Sequence, residues 1–407
     1  MSYILFSFLL AILFFLLSCS KFLKYPIKDI FKIVLISPSF LIWVFVIIYC
    51  YIGFELYWKG SYWYLGKNYE DGLQITSIIL ILFFLIFAFT EFITYFLIKI
   101  NVPKNILFTN RITFLSFLNI YTFIVLAIFI IFLPHSNGIG ILNFLFNSLI
   151  PIIVFGVLNK DKKFYIYFLA FLFISFYIGF RFRLVLIFIP IMLYIFISQK
   201  FFSKKILNLL ILFVLSVTLV AFLGFFRRYN FYLDIENYMN FSFFEMIILG
   251  VFNDTSTVLV TGKFIEKFNE IGTFAHFNQL KYIFDYLLPS FILEEKKYSP
   301  VLSYIYTLVG SDEAGSAILG IGEYYHTGGI IGLVFFAIVY SFFLTYFYKK
   351  YLRFNINFYL ISYLMYLTWF INSFTRGYIP QNIADLISIT LGLYFVKISI
   401  ITTKKAV

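Results

Sequence analysis

"KKFYIYFLAFLFISFYIGFRFRLVLIFIPIMLYIFISQK", Lys162 to Lys200, holds two apolar runs joined by a short turn. The run before the turn, Phe164 to Gly179, and the run after it, Leu184 to Ser198, each fall short of the ~20 apolar residues that a spanning helix needs. To make two spans, the turn must draw in Arg181 and Arg183, which then sit at or just inside a membrane boundary. An arginine at a helix centre costs about 2.5–3.5 kcal/mol on insertion scales, and less near the interface. Two of them so close together ask for a reason.

The rest of the chain repeats the pattern. Its 407 residues are 62% hydrophobic and 12% charged, against about 45–50% and 25% in soluble proteins. Long apolar runs recur from end to end, so the expected fold class is an all-α polytopic membrane protein. A β-barrel would alternate in polarity over ~10-residue segments, and none is found. Phe, Ile, Tyr, Asn and Lys abound, which makes lysine the default cation and leaves the seven arginines to be explained. Cys19 and Cys50 end different spans on opposite sides, so no disulfide is expected. The first residues carry no positive charge, so "LLSCSK" (Leu16 to Lys21) reads as the end of a first span rather than a signal cleavage site.

Eleven spans are expected, within one either way: 3–20, 33–54, 75–98, 112–133, 139–158, 164–180, 183–199, 206–226, 328–348, 356–373 and 383–402. Alternate connections carry "KFLKYPIKDIFK", "KINVPKNILFTNR", "KDKK", "KFFSKK" and "KKYLR", and the tail carries "KK". The positive-inside rule puts these in the cytoplasm, with the N-terminus outside and the C-terminus inside. The chain divides into spans one to eight (1–226), a large external segment (227–327) and spans nine to eleven (328–407). Within the external segment, Phe243 to Phe268 is amphipathic and is expected as helices on the membrane face, with partial re-entry of 243–262 into the membrane as the alternative. No internal repeat suggests duplicated transporter halves.

This orientation sorts the arginines. Arg111 and Arg353 lie in lysine-rich cytoplasmic loops, whereas Arg181, Arg183, Arg227, Arg228 and Arg376 map to the external face, against the charge rule. Arginine suits planar, bidentate recognition of phosphate or carboxylate, and a pyrophosphate at the outer interface would use all five. The alternative is that they snorkel to anionic headgroups or pair with acids of the large segment. "FELYWKGSYWYLGKNYEDG", Phe54 to Gly72, offers Trp58 and Trp63 for stacking on sugar rings, beside Glu55, Glu70 and Asp71. An interfacial aromatic belt explains those aromatics equally well.

"GSDEAGSAILGIGEYYHTGGIIGLVFF", Gly310 to Phe336, is rich in glycine and places Glu323 and His326 three apart, neighbours on one face of a helix. A helix beginning near Gly328 would point free N–H groups at an anion. Glu323 is a candidate base, a ligand for a sugar hydroxyl, an orienter of an arginine, or one half of a structural ion pair. His276, further back, is a second candidate base.

The whole layout resembles bacterial oligosaccharide repeat-unit polymerases of the O-antigen polymerase (Wzy) type. The resemblance is residue-specific in three pieces. Glu323, Tyr325, Gly329 and Gly332 match a Glu-x-Tyr-x-x-x-Gly-x-x-Gly segment, Arg376 and Gly377 of "SFTRGYIPQNI" match a late Arg-Gly turn, and "GFRFRLVLIFIP" resembles a Gly-x-Arg element opening a middle span. An Arg-x10-Gly loop pattern found in some members is absent here.

The resemblance implies a membrane-embedded glycosyltransferase in a bacterial cytoplasmic (inner) membrane. It would move a growing glycan from undecaprenyl pyrophosphate to the non-reducing end of a new lipid-linked repeat unit. The product would be an O-antigen of lipopolysaccharide, a capsule or a similar polysaccharide. Arg181, Arg183, Arg227, Arg228 and Arg376 would meet the pyrophosphate; Glu323, His326 or His276 would take the acceptor proton; Trp58, Trp63 and Tyr325 would touch sugar. Its partners would be lipid-linked oligosaccharide, membrane lipids, a chain-length regulator and a flippase. No cofactor, metal or nucleic acid is expected, since no Asp-x-Asp, nucleotide fingerprint or His/Cys cluster occurs. Three other readings stay open: an O-antigen ligase, a glycosyltransferase using a lipid monophosphate sugar, and a flippase or transporter. The last would use ionisable groups inside spans, where only Glu91 and Asp385 stand out.

Overall fold

The computed structural model describes residues 36–58, 70–98, 116–131, 140–178, 181–198, 257–271, 274–283, 318–354 and 357–405, with isolated positions between 211 and 246. All regular elements among them are helical. In chain order they are α1 (Pro38–Trp58), α2 (Glu70–Leu97), α3 (Ser116–Ile131), α4 (Gly140–Leu158), α5 (Lys162–Ile178), α6 (Arg181–Ser198) and α7 (Thr257–Ile271). A short 3-10 helix (Asn278–Tyr282) precedes α8 (Gly320–Phe354), α9 (Asn357–Thr375) and α10 (Ile379–Lys405). The expected span 3–20, nearly all of 206–226 and most of 227–327 fall outside the described residues, whereas each other expected span falls on a helix. Gln74–Leu97, Ile141–Leu158, Gly320–Phe354 and Ile379–Ser399 are long and apolar enough to cross a membrane, and Phe117–Ile131 and Phe182–Ile197 are shorter apolar helices. The chain is a helical membrane protein by these measures.

Helix α9 is the hub. Phe358 and every residue from Leu360 to Thr375 are buried, as befits a helix apolar on all sides, and α1, α4, α6, α8 and α10 pack around it. Helix α2 lies along α8 in the same direction: Ser341 Oγ donates to Phe87 O at 2.6 Å, and one turn or two further on Lys349 Nζ donates to Tyr95 O and Ile98 O. The ammonium thereby completes the last carbonyls of α2, where a cation is favoured. Helices α4 and α10 also run together, with Asn147 bonded to Asp385 and Ser148 O close against Gly392.

Two features differ from the expectation. The apolar face of α7 (Val258, Phe264, Ile265, Phe268) is buried against α2, α1 and α8, rather than laid wholly on the membrane. Helix α8 begins eight residues before the expected span and breaks inside it, at Gly328 (φ −171°) and Gly329 (φ 60°). Only glycine takes that left-handed angle at no steric cost, so the "TGG" of the sequence sets the break.

Candidate functional site

The three segments singled out in the sequence converge on the first turns of α10. The α9–α10 turn, which carries Arg376 and Gly377, is bound tightly to the residues leading into α8. Gly377 N–H donates to Ile318 O at 2.6 Å. A Cβ on Gly377 would stand 2.6 Å from Leu319 O and 2.9 Å from Gly320 Cα, so glycine is required for this backbone-to-backbone approach. Glu323, in the first turn of α8, is fully buried. Its Oε2 accepts the Ile379 N–H at 2.5 Å, which supplies α10 with a carboxylate at its positive end. The other carboxylate oxygen, Oε1, has no hydrogen-bond partner among the described residues.

Arg376 is half-buried and fixed through its backbone. Its N–H donates to Asn372 O at 3.0 Å, and its carbonyl accepts Asn382 Nδ2 at 3.0 Å. Asn382 O in turn accepts the indole N–H of Trp369 at 2.8 Å. The backbone of the turn is thus anchored from both α9 and α10.

Arg183 joins the same helix from α6. It is 1% exposed, with Nε donating to Asn147 Oδ1 at 2.9 Å and Nη2 to Asn143 Oδ1 at 2.6 Å. Asn147 Nδ2 donates to Asp385 Oδ1 at 2.7 Å, so one amide links the guanidinium to the carboxylate of α10. The guanidinium also lies over the Phe146 ring at 4.7 Å, a cation–π contact strengthened by burial. In this conformation Arg183 serves α4 and α10 and offers no surface to a pyrophosphate. This is the compensating contact that its place in the span requires. Arg181 opens α6, and Trp58 ends α1; Arg227, Arg228 and Trp63 lie outside the described residues.

The three candidate bases differ in access. His326 is 2% exposed, 4.9 Å edge-on from Phe268 and 3.4 Å, Nδ1 to Nε2, from Gln279. Glu323 is buried as described. His276 is exposed and sits beside the break in α8, where its N–H donates to Thr327 O at 3.0 Å. Tyr325, half-buried, donates its hydroxyl to Asn269 Oδ1 on α7 at 2.9 Å.

Sequence reasoning passed over Asn143 and Asn147. Two amides four apart in the apolar run "GILNFLFNSLI" share one helix face, and amides in a span seek polar partners; that was the available signal. Gln279 and Asn382 gave none. Among the described residues no three His, Cys, Asp or Glu side chains gather as a metal site. No family model, curated protein or solved structure matches this chain.

Proposed function

We propose that the chain is a polymerase of lipid-linked oligosaccharide repeat units, embedded in a bacterial cytoplasmic membrane with its N-terminus outside. The observation that carries this reading is the meeting at α10 of segments distant in sequence: Glu323 on the Ile379 N–H, Gly377 on Ile318, and Arg183 joined through Asn147 to Asp385. These are the pieces on which the resemblance to the polymerases rests.

In the reaction, a hydroxyl at the non-reducing end of the acceptor repeat unit gives its proton to a base. Its oxygen then forms a bond to the anomeric carbon of the donor glycan. The bond from that carbon to undecaprenyl pyrophosphate breaks, and the pyrophosphate leaves with the electron pair. Arg376, with Arg181, stabilises the developing negative charge; fixed donors are most effective because they need no reorganisation in the transition state. The anchoring of the Arg376 backbone from α9 and α10 fixes the point from which its side chain extends. His276, exposed, acts as the base, while Glu323 holds the Arg376 turn in place. The two acids a transporter would use, Glu91 and Asp385, instead bond to Ser39 N–H and Asn147.

The exposed His276 also favours a second reading, an O-antigen ligase with its base in the large segment. Deleting the gene and sizing surface and carrier-linked glycans on a gel separates the two. Single repeat units on the surface lipid with no ladder mean polymerase; long polymer held on the carrier means ligase. An unchanged pattern in the deletion, or normal chains with Arg376→Ala, would rule the proposal out.

A further inference from the structure

Residues 274–283 cross over the break in α8. Their inner side is bonded to α8: Ala275 N–H donates to His326 O and His276 N–H to Thr327 O, both at 3.0 Å, and Gln279 Nε2 donates to Thr327 Oγ1 at 3.0 Å. Their outer side carries three apolar residues, Phe274, Phe277 and Leu280, interspersed with the exposed polar His276, Asn278 and Lys281. Phe274, Phe277 and Leu280 remain 40%, 39% and 39% exposed. The patch continues onto α8, where the Phe277 ring stands edge-on to Phe335 at 5.3 Å and Ile330 and Ile331 are 60% and 81% exposed. Below them Ile338, Val339 and Phe342 carry the same exposed stripe along α8, the outward face of a helix long enough to span a bilayer.

The backbone here is strained. His276 (φ 45°) and Phe277 (φ 63°) are consecutive non-glycine residues in the left-handed region, which an L side chain takes only against steric resistance. In water that strain would serve to hold a phenylalanine against solvent. In hydrocarbon the same geometry removes from water the part of the ring still exposed. Lys281, exposed at the end of the 3-10 helix, stands next to Leu280, and beside a bilayer its ammonium would extend toward the headgroup phosphates.

We propose that residues 274–283 form a membrane-dipping element, with Phe274, Phe277 and Leu280 inserted among the acyl chains of the bilayer beside the outward stripe of α8. His276 is thereby held at the polar boundary of that leaflet, at the depth of a lipid headgroup. The occupant of the patch is the acyl-chain layer, as for amphipathic segments lying in an interface, and the inference does not depend on the reaction proposed above.

The test uses the full chain with Cys19→Ser and Cys50→Ala, single cysteines introduced as Phe277→Cys or Leu280→Cys, and a nitroxide label. The protein is placed in phosphatidylethanolamine/phosphatidylglycerol vesicles, and collisions with oxygen, which concentrates in the bilayer, are compared with those of a water-soluble nickel chelate. Ile338→Cys on the α8 stripe gives the bilayer reference and Lys267→Cys, exposed on α7, the aqueous one. Labels at 277 and 280 should match the 338 label, with an oxygen-to-nickel ratio several-fold above that at 267. A ratio equal to that at 267 would overturn the proposal, as would low collision with both reagents, which means cover by protein or by a second copy. Leu280→Cys removes no ring contact, so it decides the matter if Phe277→Cys folds poorly.

Discussion

Replacing Asn147 by leucine should break the link between α6 and α10. The amide stands between Arg183 Nε at 2.9 Å and Asp385 Oδ1 at 2.7 Å. Each is a hydrogen bond to a charged group, worth about 1.5–3 kcal/mol. Arg183 keeps Asn143 at 2.6 Å and the Phe146 ring, so part of its stabilisation survives. Asp385 loses its hydrogen-bond partner, since Oδ2 has none, and keeps only the charge of Arg183 nearby. The two lost bonds together amount to about 3–5 kcal/mol. That is a large share of the roughly 5–15 kcal/mol that keeps a protein folded. Thermal unfolding of the detergent-purified protein, followed by tryptophan fluorescence, should show a clear drop in Tm for Asn147→Leu. The triple variant Arg183→Met, Asn147→Leu, Asp385→Leu should recover most of it, because an apolar replacement of the whole network leaves no uncompensated charge. An unchanged Tm in the single variant, or a triple variant worse than the single, would refute the reasoning. If the stable triple variant still elongates glycan, Arg183 has no part in binding pyrophosphate.

Glu323→Gln should keep the acceptor for the Ile379 N–H and fold normally, whereas Glu323→Ala should lose about 1.5–3 kcal/mol; amide exchange at residues 379–382 should rise only in the alanine variant. Gly377→Ala puts a methyl 2.6 Å from Leu319 O, a backbone atom with nowhere to go, so destabilisation of at least the ~1–3 kcal/mol typical of overpacking is expected, read as lower folded yield on size exclusion. Lys349→Met removes the cation that completes the last turn of α2; a small fall in Tm is expected, about 0.3–2 kcal/mol, with glycan elongation retained. Arg376→Lys should keep little of the elongation of the native chain if paired guanidinium donors are needed and more if charge alone suffices, measured as ladder length on a gel.

Much of this arrangement was legible in the sequence because apolar periodicity and lysine placement are strong physical signals. They put helices where α1 to α6 and α8 to α10 stand. The start of α8 was placed late because "ILGIGEYYH" is too polar to read as span, yet Glu323 and His326 are buried there by contacts with α10 and α7 that no local pattern announces. The structure brings Glu323, Arg376 and Arg183 to the first turns of α10. Their roles were less legible, since whether an arginine is exposed depends on what a neighbouring helix presents. For Arg183 the deciding residues are amides on α4, written 36 and 40 positions earlier.

Two of the buried glutamates cap helices other than their own. Glu91 of α2 takes the Ser39 N–H at the start of α1, 52 residues earlier, and Glu323 of α8 takes the Ile379 N–H at the start of α10, 56 residues later. During synthesis these act in opposite senses. Helix α1 leaves the ribosome with its first turn unfinished and must wait for α2 to complete it. Helix α10, which emerges after α8, meets a carboxylate already in position. The hairpin of α9 and α10 therefore has a docking point prepared for it, while α1 must hold an incomplete end until α2 arrives.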